Sequence, residues 1–146
     1  MMAPDGSAPP DELPAKARVL FVDDSALARA AVLAALLRFD VVALKDGGEA
    51  LERARAAAEE GKPFNLFILD IEMEPLDGFT LLSELRRIEA YGDTKTLFLS
   101  GTRREEHIRR VQEVGATLIE KRSRAQLREE IERAMRSIDQ AARAAS

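Results

Sequence analysis

Short apolar runs alternate with longer amphipathic stretches along this chain of 146 residues. The clearest runs, VLFV at 19–22 and LFIL at 66–69, are continuous, which is typical of strands buried on both faces of a parallel sheet. In the longer stretches apolar residues recur every three or four positions, which predicts helices with one buried side. The predicted strands cover residues 19–22, 41–44, 66–69, 97–99 and 117–119, and the predicted helices cover 26–38, 49–60, 79–90, 103–114 and 124–142.

The order of these elements predicts an α/β fold. Strands that alternate with helices connect by right-handed crossovers, which place helices on both faces of a parallel sheet. Five repeats are too few for an eight-fold barrel, so the prediction is a doubly wound five-stranded parallel sheet. We expect one domain over residues 17–142, between a disordered tail rich in Pro and Gly at 1–16 and a short tail at 143–146.

Several residues have the character of helix caps. Thr102 and Ser123 each stand three residues before a Glu or Gln, as in a capping box. Gly115 follows the fourth helical stretch, where a left-handed C-cap is favoured. Asp77, directly before Gly78, is expected to cap the third helix.

Composition excludes several classes of site. The chain has no cysteine and one histidine, His107, which excludes disulfides, thiolate chemistry and multi-histidine metal sites. No apolar run approaches the ~20 residues of a membrane span. The first residues lack the apolar region of a secretory signal, so we expect a cytoplasmic protein. A net charge of -4 disfavours a generic nucleic-acid binder.

Acidic, hydroxyl and basic side chains directly follow the predicted strands. Asp23 and Asp24 follow the first strand, Asp70 the third, Ser100 the fourth and Lys121 the fifth. In doubly wound sheets ligands bind beyond the carboxyl ends of the strands, so these residues are the candidates for chemistry.

The residue types at these positions favour phosphoryl transfer. Three carboxylates repel one another unless a cation neutralises them, and oxygen ligands without His or Cys select Mg²⁺ or Mn²⁺. A lysine and a hydroxyl supply partners for phosphoryl oxygens. Gly61 and Lys62 lack the other residues of a P-loop, so a carboxylate is expected to accept the phosphoryl group itself as an acyl phosphate.

The joint pattern resembles a response-regulator receiver domain. It comprises Asp23-Asp24-Ser25, the segment from Asp70 to Gly78, Ser100-Gly101 thirty residues after Asp70, and Lys121 fifty-one residues after it. The similarity covers residues 18–138, nearly the whole chain. It implies the strand order 2-1-3-4-5, which is that of the CheY-type fold.

The resemblance also implies roles for these residues. Asp70 would be the phosphoacceptor, receiving the phosphoryl group from a sensor histidine kinase. Asp24, Asp23 partly through water, Asp70 and the backbone carbonyl of Glu72 would hold Mg²⁺. Ser100 and Lys121 would bind phosphoryl oxygens. Such a protein is not an enzyme in the usual sense, because it catalyses only its own phosphorylation and dephosphorylation.

Three features depart from the family pattern, and the third involves both Pro75 and Glu72. Arg122 stands where a proline usually follows the lysine, so no cis peptide is expected there. Leu118 replaces the usual aromatic switch residue, and Pro75 lies one position later than usual. Glu72 places a carboxylate near the path of the water that would hydrolyse the acyl phosphate.

We expect a stand-alone, monomeric receiver without a DNA-binding module, with dimerisation on phosphorylation left open. Its partners would be a histidine kinase or phosphotransfer protein, and a target protein bound on the fourth helix, fifth strand and fifth helix. Residues 101–128 hold eight basic and four acidic side chains, and the candidate partner-binding residues there are Arg103, Arg104, Arg109, Arg110, Arg122 and Arg124.

Two alternatives stay open at this point. One is a phosphate sink or shuttle in a phosphorelay, without an output of its own. The other is a receiver-like effector that binds cyclic-di-GMP through the arginine-rich surface of residues 103–136, because residues 136–139 match the RxxD pattern of some such sites.

Overall fold

Five parallel strands form one sheet in the computed structural model, which describes residues 17–121 and 123–145 without the side chains of 138–145. The strands are β1 (Arg18–Val22), β2 (Asp40–Leu44), β3 (Leu66–Asp70), β4 (Lys95–Ser100) and β5 (Thr117–Glu120). They pair in the order β2-β1-β3-β4-β5, all in parallel, which confirms the predicted doubly wound fold. The tail predicted at residues 1–16 lies outside the described residues.

Helices cover both faces of the sheet. They are α1 (Ala26–Ala35), α2 (Gly47–Glu59), α3 (Gly78–Arg86), α4 (Glu105–Glu113) and α5 (Arg124–Ala145). The last helix continues through most of the stretch that was expected to form a C-terminal tail. In the part of the chain that the structure describes, no helix is both long and apolar enough to cross a bilayer.

Two hydrophobic cores lie on opposite sides of the sheet. Successive residues of a strand point to opposite faces, so Leu20 and Val22 of β1 join one core and Val19 and Phe21 join the other. The first core is closed by α2, α3 and α4, and the second by α1 and α5. Every residue of β3 is buried, as its continuous apolar sequence predicts.

The third helix is shorter than its apolar pattern predicts. It ends at Arg86, and a short 3-10 turn follows at Glu89–Tyr91. The Tyr91 side chain is fully buried, its hydroxyl donates to the carbonyl of Ala54 in α2 at 2.7 Å, and its ring packs edge-on against Phe67. Tyr91 therefore packs against α2 and β3 just after α3 has ended, and the apolar periodicity of the sequence did not predict this end.

The predicted caps are correct except at α4. Ser123 accepts from the amide of Gln126 at 3.2 Å and Asp77 from that of Thr80 at 2.8 Å, while Gly115 adopts a φ of 72°. The capping box at Thr102 is wrong, because α4 begins two residues later, after Arg104, without a side-chain cap. The Thr102 hydroxyl instead faces the loop after β3.

Gly78 lets α3 begin directly against the end of β3. Its amide donates to the carbonyl of Ile71 at 3.0 Å. A Cβ at this position would lie 2.4 Å from the carbonyl oxygen of Asp70, and backbone atoms of a buried strand do not move aside as a flexible side chain does. The absence of a side chain at Gly78 therefore holds the helix close to the strand that carries Asp70.

We expect Gly78→Ala to lower the free energy of unfolding by about 1–3 kcal/mol, because the added methyl group overlaps the backbone of β3. Urea unfolding measures the change. The matched control is Gly48→Ala in the first turn of α2, where the nearest atom to the added Cβ is Asp46 Oδ1 at 3.5 Å. Equal losses of stability in the two variants would contradict this account of Gly78.

Candidate functional site

Asp23 and Asp24 directly follow β1 but differ in exposure. The Asp23 side chain is completely buried, whereas Asp24 is exposed. Asp23 Oδ1 accepts from the amide of Ser25 at 2.9 Å, and its carbonyl accepts from Arg29 Nη1 at 2.6 Å. Ser25, in turn, caps α1. These contacts fix the acidic pair, and Arg29 is a residue that the sequence pattern did not single out.

Asp70 lies at the carboxyl end of β3 with 1% of its surface exposed. Its Oδ1 accepts from the amide of Glu72 at 3.3 Å and lies 3.2 Å from Lys121 Nζ. Its Oδ2 is buried without a hydrogen-bond partner among the described residues. A buried carboxylate oxygen without a partner is costly, and a bound cation would supply the missing partner at this atom.

Lys121 bridges the acids from the end of β5. Its Nζ lies 3.1 Å from Asp23 Oδ2 as well as 3.2 Å from Asp70 Oδ1. Its backbone amide donates to the carbonyl of Ser100 at 3.1 Å, which ties the end of β5 to the end of β4. The structure therefore brings together residues that are up to 98 positions apart in the sequence.

The three carboxylates fit a divalent cation. Asp23, Asp24 and Asp70 each offer an oxygen, and these oxygens lie within 4.8 Å of one another. The Lys121 ammonium pairs with Asp23 and Asp70, and the addition of Asp24 to the cluster leaves negative charge for a cation to neutralise. Hard oxygen donors without nitrogen or sulfur ligands suit Mg²⁺ or Mn²⁺, and the unpartnered Asp70 Oδ2 is a free donor atom among the described residues.

Burial and charge shift the pKa values of the paired groups. Burial, together with the nearby charge of Asp23, raises the pKa of Asp70 to about 7, although Lys121 opposes the shift. Burial lowers the pKa of Lys121, but the charges of Asp70 and Asp23 outweigh it, so that this pKa lies above its ordinary value. In the metal-free site Lys121 therefore stays charged, whereas Asp70 binds a proton more readily than an ordinary carboxyl group does.

Ser100 lies buried beside a small polar network. Its hydroxyl donates to Glu72 Oε1 at 3.5 Å, and the hydroxyl of Thr102 donates to the same oxygen at 3.4 Å. The amide of Thr102 donates to Ser100 Oγ at 3.2 Å. Glu72 thus enters this network through its side chain, and Thr102 is a second residue that sequence reasoning missed.

The arginines predicted to bind a partner differ in their contacts around α4. Arg103 lies 3.6 Å from the Glu120 carboxylate of β5, which offsets its charge. Arg110 stacks over the ring of Phe79 at 4.1 Å. Arg104 is exposed at the start of α4.

The other predicted arginines are divided between α4 and α5. Arg109 is exposed on α4, while Arg124 lines a groove with Ala34 and Ala35 of α1. Arg122 lies outside the described residues. Arg136 of the RxxD pattern is exposed, but the side chain of its aspartate is also outside the described part.

Two large apolar side chains are exposed on or next to α1. Leu27 is 83% exposed in its first turn, three residues after Asp24, and Leu37 is 85% exposed beyond its other end. Leu27 therefore lies at the end of α1 that adjoins the acidic residues, whereas Leu37 lies beyond the opposite end of the helix.

Comparison with known proteins agrees with this geometry. The family model of the response regulator receiver domain matches residues 19–132. The chain is similar to the chemotaxis protein CheY4 of Vibrio cholerae, with 30% identity, a TM-score of 0.72 and coverage of 82% of this chain and 98% of that one. It is also similar to the receiver domain of the Arabidopsis thaliana histidine kinase CKI1 complexed with Mg²⁺ and BeF₃⁻, with 28% identity, a TM-score of 0.67 and coverage of 85% and 93%.

Curated relatives match over part of their length only. The gliding motility regulatory protein of Myxococcus xanthus is 34% identical over 101 residues, which cover 68% of this chain and 12% of that protein. A protein-glutamate methylesterase/protein-glutamine glutaminase of Geobacter sulfurreducens is 36% identical over 104 residues, which cover 69% and 26%. The chain therefore spans a minor part of both relatives.

The raised pKa of Asp70 predicts a stability that falls with pH. In the unfolded chain this carboxyl ionises near 3.8 and in the metal-free fold near 7, so between these values the folded state binds more protons and loses stability as pH rises. We expect Asp70→Asn to raise the free energy of unfolding at pH 8 in EDTA by about 1–3 kcal/mol, and far less at pH 4. Urea unfolding of both proteins at both pH values measures this difference. A gain of the same size at pH 4 and pH 8 would contradict ionisation of the buried Asp70 as its cause.

Proposed function

Because this chain belongs to the response regulator receiver family of two-component signalling, we propose that Asp70 accepts a phosphoryl group from a phosphohistidine of a sensor histidine kinase or phosphotransfer protein. The observation that carries the proposal is the unpartnered Oδ2 of Asp70, buried between Lys121 and two further carboxylates. An Asp70 oxygen forms the new bond to phosphorus while the phosphorus–nitrogen bond breaks. The bonding pair leaves with the imidazole, which takes a proton from solvent.

The acidic residues would hold the cation that supports the transfer. Asp23, Asp24, Asp70 and the backbone carbonyl of Glu72 would hold Mg²⁺, which when bound supplies positive charge to the phosphoryl oxygens and to the attacking carboxylate. Burial of Asp23 and its hydrogen bond from Ser25 keep this ligand set ordered before the cation arrives. The protein thus contributes mainly prepositioned charge.

Lys121 and Ser100 bind the transferred group. Once Asp70 is phosphorylated to the acyl phosphate it no longer carries a carboxylate charge, so Lys121 loses one of its two anionic partners and turns to a phosphoryl oxygen. The Ser100 hydroxyl donates to another oxygen. The backbone hydrogen bond between Lys121 and Ser100 links the ends of β5 and β4, so a movement of one strand end displaces the other.

The signal is read by a partner protein on α4, β5 and α5. Receiver domains of this family act with histidine kinases and downstream targets. Arg104 and Arg109 are exposed on this surface, which favours a target with an acidic surface. Leu118, half-buried on β5 against the core on the α4 side, takes the place of the aromatic switch residue, so the readout relies on side chains other than an aromatic ring.

A phosphodonor domain approaches the site across the first turn of α1. Leu27 is the large apolar side chain exposed beside Asp24, and an exposed leucine at a site entrance is suited to contact with a partner. Transfer requires such a contact, because a protein donor must bring its histidine to a buried Asp70.

The first test is phosphate incorporation. With Mg²⁺ and a small-molecule phosphodonor we expect one acid-stable, base-labile phosphate on the chain, and none after EDTA or in Asp70→Asn. Radiolabelled donor or intact-mass spectrometry measures it. The matched control is Asp93→Asn, which removes an exposed carboxylate outside the site and leaves incorporation unchanged. Undiminished incorporation in Asp70→Asn would refute the assignment.

The second test separates docking from chemistry. We expect Leu27→Ser to slow phosphoryl transfer from the cognate kinase by about tenfold, on the order of what one buried leucine contributes, and to leave transfer from a small phosphodonor unchanged. Leu37→Ser, equally exposed at the other end of α1, is the control and keeps both rates. Equal slowing by the two substitutions would argue against a docking role for Leu27.

A further inference from the structure

The carboxylate of Glu72 accepts hydrogen bonds from two hydroxyl groups beside the proposed phosphoacceptor, Asp70. One oxygen, Oε1, accepts from both the Ser100 and the Thr102 hydroxyls, at 3.5 and 3.4 Å. The amide of Thr102 also donates to Ser100 Oγ at 3.2 Å, so each of the three residues is hydrogen-bonded to the other two. We call these three residues, Glu72, Ser100 and Thr102, the hydroxyl latch. It joins the loop after β3 to the loop after β4.

The latch and a phosphoryl group compete for the same proton. A serine hydroxyl has a single hydrogen to donate, so Ser100 cannot bond Glu72 and a phosphoryl oxygen at once. A phosphoryl group also adds about 1.5–2 negative charges next to the Glu72 carboxylate. Glu72 is exposed and is free to turn into solvent, whereas Ser100 is buried and is not.

We propose that Glu72 is an intramolecular competitor for the phosphoryl site, which holds Ser100 and Thr102 in the unphosphorylated arrangement and must release them before the phosphoryl group is bound. This inference rests on the proposed function and adds regulation to the same site. Glu72 acts through Ser100 and Thr102, so it is a positioning residue. Its removal favours the phosphorylated arrangement, and Thr102 matters only while Glu72 is present.

A double-mutant cycle isolates the latch from the general effect of charge. The probe is beryllofluoride binding in Mg²⁺, measured for the parent, Glu72→Ala, Thr102→Val and the double variant. We expect Glu72→Ala to tighten binding by about threefold to tenfold, as loss of competing hydrogen bonds implies. Thr102→Val tightens it by about twofold in the parent and leaves it unchanged in Glu72→Ala, because the two residues act together.

Glu74→Gln is the matched control for charge. It removes another exposed carboxylate of the same loop that is not in the latch, and we expect a change of less than about twofold. Tightening in Glu74→Gln equal to that in Glu72→Ala would overturn the proposal, because charge alone would then explain both. The same change by Thr102→Val in the two backgrounds would overturn it too.

A second readout needs neither metal nor phosphate. In metal-free Asp70→Asn protein, we expect Glu72→Ala to speed hydrogen exchange of the Thr102 amide by about threefold, since Ser100 Oγ is no longer oriented. The amide of Ile71, which donates to the carbonyl of Leu99, serves as the internal control and keeps its rate. Unchanged exchange at Thr102 would overturn the latch even if Asp70 is phosphorylated. Faster exchange, together with no phosphate on the parent protein, would refute the proposed function and leave the contact itself established.

Discussion

The burial of two like charges against one ammonium group is the constraint on which the site depends. Asp23 and Asp70 are withdrawn from water at the end of adjacent strands, and Lys121 lies about equally close to both. Neither acid is fully compensated by one shared cation, so the fold stores unfavourable electrostatic energy at this edge. A divalent cation at the three carboxylates would relieve that energy. In the proposed phosphorylated state Asp70 would lose its own charge and the phosphoryl oxygens would carry negative charge instead, so Lys121 would pair with a different oxygen.

The architecture makes this arrangement inevitable once the strand order is set. β1 and β3 are neighbours, so their terminal acids meet, and β4 and β5 extend the same edge with a hydroxyl and a lysine. Gly78 keeps the following helix close behind Asp70, and Arg29 holds the carbonyl of Asp23 from α1. The scaffold therefore supplies positions, while the polar residues supply the chemistry.

Sequence reasoning located the principal acids, the serine and the lysine because each directly follows an apolar run, and parallel strands bring those positions to one edge. It also predicted the strand positions and the fold. It missed Arg29 and Thr102, whose contacts depend on how a loop turns. A Thr three residues before a Glu has the same pattern whether its hydroxyl caps a helix or faces another loop. The early end of α3 could not be predicted from the sequence for a similar reason. The hydroxyl of Tyr91 bonds to the carbonyl of Ala54, which is 37 residues away in the chain.

Tyr91 is the one tyrosine of a chain that has no tryptophan, and its position decides what light can report about this protein. It precedes β4, at the edge of the sheet opposite to the acids, and its hydroxyl and ring are held inside the core on the α2 side. Intrinsic ultraviolet emission therefore senses the integrity of that interior and not occupancy of the acidic edge. An optical response to ligand would mean that the disturbance had travelled the full length of a strand.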